Sequence, residues 1–185
     1  YYLPLIEGAG FSKAKDLFAY NIFRTSRFPE KLEAHAERLK QAKGVTFRSL
    51  EMKHFAREVA LLLEIYNNAW ERNWGFVPMN SEEFHHMAKD MKAIVDPSLA
   101  LIVQVKGQNA GFGLVLPDVN QAIQKVQDGK LFPTGLAKLL WHLKGPARRK
   151  TIQRCRILTL GIKKEFQELG LGPLLYSEFY QRLYQ

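Results

Sequence analysis

The amino-acid sequence predicts an α/β (α+β) fold with a mixed, largely antiparallel, twisted sheet flanked by helices. Two apolar runs, residues 99–105 and 110–116, are separated by the turn sequence Lys106-Gly107-Gln108-Asn109 and indicate a hairpin. Apolar residues recur at helical spacing in residues 53–70, before this hairpin. Hairpins and helices within one short chain favour a mixed antiparallel sheet over an alternating parallel one.

The other elements complete one order along the chain. Residues 45–50 form a short strand, and a second helix begins at Ser81 as its N-cap and ends before Asp96-Pro97. After the hairpin, residues 117–150 have the character of an insertion that contains an amphipathic helix. A strand at residues 151–162 then leads to a helix at residues 170–184. The predicted order is strand, helix, helix, hairpin, strand, helix.

Composition and cysteine content exclude several classes of protein. The chain has 185 residues, of which 46% are hydrophobic and 24% charged, as in an ordinary globular protein. No apolar run approaches the ~20 residues that a membrane span requires, so none is predicted. The single cysteine, Cys155, cannot form an internal disulfide, which favours the cytoplasm. Its position in a strand predicts a buried structural thiol.

The net charge of +9 indicates an anionic partner. Nucleic acid, anionic lipid and a phosphorylated small molecule all satisfy this charge, and a solvated basic loop is the structural alternative. Cations concentrate in residues 148–156, where no aromatic side chains are interleaved, so nucleic acid is disfavoured. No metal is expected, because His85 and His86 are adjacent rather than four residues apart.

A glycine-rich turn between a strand and a helix is the most informative motif. The sequence Gln167-Glu168-Leu169-Gly170-Leu171-Gly172 follows the apolar strand, and Pro173 stands where the next helix begins. Glycines allow backbone N–H groups to approach a ligand, and a helix N-terminus attracts phosphate. A P-loop and a dinucleotide fingerprint fit less well, because the first needs Gly-Lys-Ser/Thr and the second needs three glycines.

This strand, Gln-x-x-Gly-x-Gly turn and helix resemble the acyl-CoA signature of the GNAT superfamily of acyl-CoA-dependent N-acyltransferases. The preceding strand, two helices and hairpin agree with the family order, so the resemblance extends over residues 45–185. It implies direct transfer of an acetyl or other acyl group from acyl-CoA to an amine acceptor. A GNAT-like module that binds acyl-CoA without catalysis, or a basic surface for nucleic acid or anionic lipid, is the alternative.

The resemblance also implies roles for individual residues. Backbone groups of the strand would bond the pantetheine arm of CoA and direct an N–H at the thioester carbonyl. Backbone N–H groups of the turn would hold the CoA diphosphate. The strand residues are Leu160, Gly161 and Ile162, and the turn residues are Gln167, Glu168, Leu169, Gly170, Leu171 and Gly172.

The resemblance suggests a domain organisation as well. The family has a further strand after this helix, so we expect a GNAT-like domain over residues 45–185 that lacks its C-terminal strands. Residues 16–22 alternate like a strand, so residues 1–22 are interpreted as closing strands of a preceding GNAT-like unit in a tandem protein. Residues 23–44 would be a connector, with an exposed helix that Gly44 terminates.

The acceptor site is less defined by sequence. Glu71 and Asp118 are the candidates for a general base, with a chain of water molecules as the alternative. Trp70, Trp74 and Phe76 are candidates for core or cleft lining. The sequence does not identify the amine, the acyl length or the oligomeric state, and a homo-oligomer is left open.

Overall fold

The computed structural model describes residues 2–23, 30–126, 129–130 and 132–184. Within these residues, four strands form one sheet in the order β1-β2-β3-β4, and every neighbouring pair is antiparallel. The strands are β1 (Val45–Ser49), β2 (Ala100–Val105), β3 (Gln108–Pro117) and β4 (Cys155–Ile162). The mixed fold with a largely antiparallel sheet is therefore confirmed.

The β2–β3 hairpin forms at the turn that the sequence predicts. Lys106 and Gly107 both adopt positive φ, at 50° and 79°, which matches the right-handed twist of the flanking strands. The β3 strand is longer than predicted, because Gln108 and Asn109 already pair with Val105 and Gln104. The turn is consequently two residues tighter than the predicted hairpin loop.

Two helices cover one face of the sheet. They are α2 (Glu30–Lys43) and α8 (Leu171–Tyr184), and they pack on each other and on the strands. Phe179 lies over Gly113, where an added Cβ would come within 2.5 Å of the ring. Most described side chains of α2 are exposed, as its charged sequence predicts, but Ala36 is only 1% exposed and packs in the core. The role of this helix as a connector stays a prediction.

Two other helices cover the opposite face. They are α3 (Phe55–Trp70) and α4 (Ser81–Met91), and they pack on Ile102, Phe112 and Leu114 of the sheet. An apolar cavity of about 40 Å³ remains between these helices and the strands. The N-cap of α4 is Asn80 rather than Ser81, because Asn80 and Glu83 form a reciprocal capping box.

The N-terminal residues differ from the sequence-based expectation. Residues Tyr2–Gly8 form helix α1, and residues 9–23 are exposed and contain neither helix nor strand. The strand expected at residues 16–22 is therefore wrong. An alternating pattern produces a strand only where a neighbouring strand supplies hydrogen bonds, and none of the described strands pairs with these residues. The interpretation as the end of a preceding unit stays a prediction.

The described residues of the insertion between β3 and β4 form three short helices. They are α5 (Asn120–Ile123), α6 (Gly135–Leu143) and α7 (Arg148–Thr151). An ion pair from Arg148 to Asp96, at 2.9 Å, attaches the insertion to the body, and an ion pair from Arg154 to Asp118, at 3.1 Å, joins the two ends of the insertion. Across the described parts of the chain, no helix has the length and apolar character needed to cross a membrane.

Candidate functional site

A cleft opens between the end of α3, the end of β4 and the beginning of α8. Its volume is about 380 Å³. Six of the nine residues that the GNAT resemblance assigns to acyl-CoA line this cleft, together with three residues near the end of α3 and the proline of α8. The lining residues are Ala69, Trp70, Asn73, Leu160, Gly161, Ile162, Gln167, Gly170, Gly172 and Pro173.

Hydrogen-bond alternation along β4 decides which backbone groups face this cleft. The N–H of Lys163 donates to the carbonyl of Ala110 at 2.9 Å, which marks a hydrogen-bonded pair. Because such pairs alternate in an antiparallel ladder, Gly161 also exchanges its hydrogen bonds with Phe112. The N–H and C=O groups of Leu160 and Ile162 therefore point away from β3. Of the three predicted strand residues, only these two direct backbone groups toward the edge of β4 that no described strand pairs with.

Gly161 serves the site in a different way from the one expected. A Cβ at this position would lie 2.6 Å from Cζ3 of Trp70 and 3.0 Å from Cβ of Ala69. The Trp70 ring is held in place by Tyr66, at 4.7 Å between ring centroids, and by Phe112, at 6.2 Å. The absence of a side chain at Gly161 allows the indole to approach the strand closely and to form one wall of the cleft.

The turn after β4 continues the cleft. A 3-10 helix, Lys164–Leu169, is followed by Gly170 in the left-handed conformation at φ 71°. The side-chain amide of Gln167 donates to the carbonyl of Ile162 at 3.1 Å, which occupies one of the outward groups of β4. Gln167 thus fixes the turn against the strand edge, a role of its side chain that the family pattern does not specify.

The first turn of α8 faces the cleft with unsatisfied backbone donors. The first N–H groups of any α-helix have no partner within the helix, and the helix dipole places partial positive charge there. An ideal Cβ on Gly172 meets no other atom within 4 Å, so the space in front of this turn is open. This geometry suits an anionic group such as a phosphate.

The other three residues of the predicted motif do not line the cleft. Leu171 is 1% exposed and anchors the helix start in the core, and Leu169 packs against the same core cluster. Glu168 is exposed on the outer side of the 3-10 helix. Leu169 and Leu171 alternate with Gly170 and Gly172, and the two leucines pack against the core and so anchor the turn.

Helix α2 also approaches the turn, which sequence reasoning did not anticipate. An ideal Cβ on Gly170 would lie 3.6 Å from Cδ1 of Leu39 and 3.9 Å from Nε2 of His35. The His35 imidazole is exposed and lies beside the glycine that shapes the cradle. The only signal in the sequence is that His35 and Leu39 lie four residues apart, on one face of the helix.

Neither candidate for the general base projects into the cleft. Glu71 follows α3, is exposed, and forms an ion pair with Lys164 at the start of the 3-10 helix. Asp118 pairs with Arg154 and accepts from the N–H of Asn120 at 3.2 Å. It lies at the opposite end of β4, about 20 Å from the cleft at ~3.3 Å per residue. Asp118 is consequently a cap and tether of the insertion.

Two polar side chains near the cleft were not singled out from the sequence. Asn73 lines the cleft, and its side-chain amide makes no hydrogen bond to the described residues. The Thr159 hydroxyl is buried and has no partner in the described structure, and it lies on the same face of β4 as Gly161. In contrast, the side chains of Asn67 and Asn68 form hydrogen bonds, Asn67 with the backbone of Met79 and Asn68 with the N–H of Lys164.

The cysteine also differs from expectation. Cys155 is exposed at the first position of β4 rather than buried. Cys155 is exposed because it is the first residue of β4, beside the insertion, and because alternate side chains of a strand point to opposite faces. Partial desolvation nevertheless raises the pKa of its thiol, which disfavours the thiolate and hence a nucleophilic role.

Comparison with known proteins gives two similar sequences. The chain is 40% identical over 172 residues to a protein named bacterial ceramide synthase from Caulobacter vibrioides, an alignment that covers 93% of this chain and 43% of that protein. It is 34% identical over 176 residues to the protein YghO of Escherichia coli, which covers 95% of this chain and 43% of YghO. No protein-family model matches the chain. The chain therefore spans less than half the length of each of these curated relatives.

Proposed function

We propose that this chain forms the acyl-CoA-binding part of an acyltransferase, and that the transfer is to an amine. The cleft carries the proposal, because it brings the free edge of β4, the left-handed Gly170 and the open first turn of α8 to one place. Backbone donors and acceptors on a strand edge match the amide groups of a pantetheine arm. The helix N-terminus beside them matches a diphosphate.

The reaction follows from these groups without a covalent enzyme intermediate. The amine nitrogen attacks the thioester carbonyl carbon, the C–S bond breaks, and the thiolate leaves as CoA. The proton lost from the amine passes to solvent or to the departing thiolate. The N–H of Leu160 or Ile162, directed away from β3, would donate to the carbonyl oxygen as negative charge develops on it. Because Glu71 is paired with Lys164, a chain of water molecules is the better candidate for the base.

The name of one relative supports the reaction class. A ceramide is a fatty acyl amide of a long-chain amine, so a ceramide synthase joins an acyl group to an amine nitrogen. Trp70 gives the cleft of this chain an aromatic wall, and Tyr66 and Phe76 lie behind it with their ring centroids 5.5 Å apart. We therefore propose a long-chain amine as the acceptor and a fatty acyl-CoA, rather than acetyl-CoA, as the donor.

The experiment measures binding and turnover separately in the intact protein. Calorimetry with acetyl-CoA and a fatty acyl-CoA reports binding, and mass spectrometry detects the amide formed from a long-chain amino alcohol. In Gly172→Glu a carboxylate enters the open space before α8, where repulsion from phosphate costs several kcal/mol. We expect acyl-CoA affinity to fall at least ~100-fold.

The matched control is Gly8→Glu, which adds the same charge at an open position at the end of α1. Equal loss of affinity in both variants would attribute the effect to net charge and remove the cleft from the proposal. Binding of acyl-CoA by the unmodified protein without amide formation would leave a non-catalytic binding module.

A further inference from the structure

The positive charge of the chain is concentrated in one stretch. Between Gly129 and Arg156 lie eight of the 27 lysines and arginines and none of the 18 aspartates and glutamates. This stretch therefore accounts for eight of the nine net charges, and the rest of the chain is nearly neutral. Such a distribution is an electrostatic feature of a surface and has no counterpart in the cleft.

The same insertion exposes an unusual amount of apolar surface. Five large apolar side chains of α5, α6 and the segment between them are between 39% and 75% exposed. In α6, Leu136 and Leu140 lie one helical turn apart and share one side of the helix. The exposed residues are Ile123, Phe132, Leu136, Leu140 and Trp141.

One ion pair attaches this surface to the body, and two further contacts hold parts of the insertion to each other. Arg148 bonds Asp96 at 2.9 Å, Arg154 bonds Asp118 at 3.1 Å, and the His142 ring shares a hydrogen bond of 2.7 Å with the Thr151 hydroxyl. These contacts use two of the eight cations. Three exposed lysines of the insertion, Lys138, Lys144 and Lys150, have no carboxylate partner among the described residues.

We propose that α6 and its neighbouring cations form a docking surface for the interface of an anionic lipid bilayer. Leucine, phenylalanine and tryptophan side chains would bury in the boundary between headgroups and acyl chains, while the lysines contact lipid phosphates. Nucleic acid would use the cations but would leave the apolar helix in water. A bilayer interface uses both, so the observations favour it.

The location of the surface gives it a role beyond the proposed transfer reaction. It lies at the beginning of β4, whereas the cleft lies at the end of the same strand, about 20 Å away at ~3.3 Å per residue. Docking would hold the protein close to a membrane while the CoA-binding turn stays in water. The donor, a soluble thioester, and an acceptor with a long alkyl chain could then reach one site from two phases.

The experiment measures co-sedimentation of the intact protein with vesicles of phosphatidylcholine, with and without phosphatidylglycerol. We expect binding only to the anionic vesicles, and weaker binding as salt is raised. Each cation near an anionic surface contributes roughly fivefold in affinity, so Lys138→Gln, Lys144→Gln and Lys150→Gln together should weaken binding about 100-fold. The control replaces three exposed lysines elsewhere, Lys31, Lys43 and Lys53, by glutamine.

A second pair of substitutions tests the apolar contact. Leu136→Asn with Leu140→Asn changes only exposed side chains, so folding should persist, and vesicle affinity should fall tenfold or more. Brominated lipids should quench tryptophan fluorescence in the unmodified protein and much less in Trp141→Phe.

Three results would overturn the proposal. The first is the absence of binding to anionic vesicles. The second is an equal loss of vesicle affinity in the triple lysine variant of the insertion and in its triple lysine control. The third is concentration-dependent dimerisation in solution that the double leucine variant abolishes. The last would assign α6 to a contact between two copies of the chain.

Discussion

The two ends of β4 present surfaces of opposite character. At its end, around Gly161, the cleft is lined by three glycines, the Trp70 indole and a few small or uncharged side chains. At its beginning, around Cys155, the insertion presents long cationic and apolar side chains to solvent. The first end is a cleft without a charged residue in its described lining, whereas the second is an exposed surface that combines cations with apolar side chains.

The two surfaces suit different kinds of partner. A single small molecule with a diphosphate is bound best by preorganised backbone donors, which need no ordering when the ligand arrives. An extended surface of variable composition is bound better by many weak side-chain contacts, each of which can adjust. A single substitution at the cleft should therefore have a larger effect on stability and affinity than a single substitution at the insertion.

The largest effect is expected from Gly161→Ala at the cleft end. The new methyl group would lie 2.6 Å from the Trp70 ring, which Tyr66 and Phe112 prevent from moving aside. Overpacking of this kind costs ~1–3 kcal/mol, and the displaced indole should also reduce acyl-CoA affinity. Urea unfolding and calorimetry measure the two effects.

A second substitution separates steric strain from other causes. In a Trp70→Leu background, Gly161→Ala should cost less stability than it does alone, because the smaller side chain admits the methyl group. Gly172→Ala is the control, since its Cβ enters open space. A Gly161→Ala protein as stable as the unmodified one would show that the indole is not held against the strand.

An intermediate effect is expected from Asp96→Asn at the insertion end. Burial raises the pKa of this carboxyl, but hydrogen bonds from Ser98 and Arg148 outweigh burial and leave the pKa below its usual value. A lowered folded-state pKa stabilises the fold above the unfolded-state pKa of ~3.9, and this stabilisation is lost as pH falls through the folded-state value.

Asp96→Asn should therefore cost about 0.5–1 kcal/mol at neutral pH. The difference from the unmodified protein should vanish in acid, as measured by urea unfolding across that range. A constant difference at all pH values would mean that packing, and not the charge of Asp96, holds the insertion.

The smallest effect is expected from Thr159→Val in the middle of β4. The hydroxyl is buried and has no partner among the residues that the structure describes, and valine keeps the shape of the side chain. Removing an unsatisfied polar group should leave stability unchanged or raise it by up to ~1 kcal/mol. If the hydroxyl instead bonds the acceptor amine, KM for the amine should rise while acyl-CoA affinity stays constant. Thr46→Val, at an exposed position of β1, is the control.

The sequence predicted the β2–β3 hairpin and the glycine-rich turn into α8 because local patterns determine them. The hairpin required two residues with positive φ, and Lys106-Gly107 supplies them. The spacing of Gly170 and Gly172 after an apolar strand predicted a turn into a helix, and this turn lines the cleft. In both cases, the backbone conformation depends on residues adjacent in the chain.

The remaining features depend on contacts between distant residues. Composition does not predict which end of a strand lies at the cleft. Asp118 was therefore a candidate for the general base, although it lies at the start of the insertion and pairs with Arg154. The pairing of Gly161 with Phe112 follows from the register of β3 and β4, which a single strand does not reveal. Alternation at residues 16–22 predicted a strand, but a strand also needs a neighbour.

The burial of Ala36 in α2 has a consequence for how the chain can be divided. This helix packs against α8 and β1, so its removal would expose a core that includes Leu171 and Val45. The smallest segment able to fold should begin near Glu30, rather than at the first strand. Trypsin should accordingly cut first at the exposed Lys13 and Lys15 and release a resistant core that retains the helix.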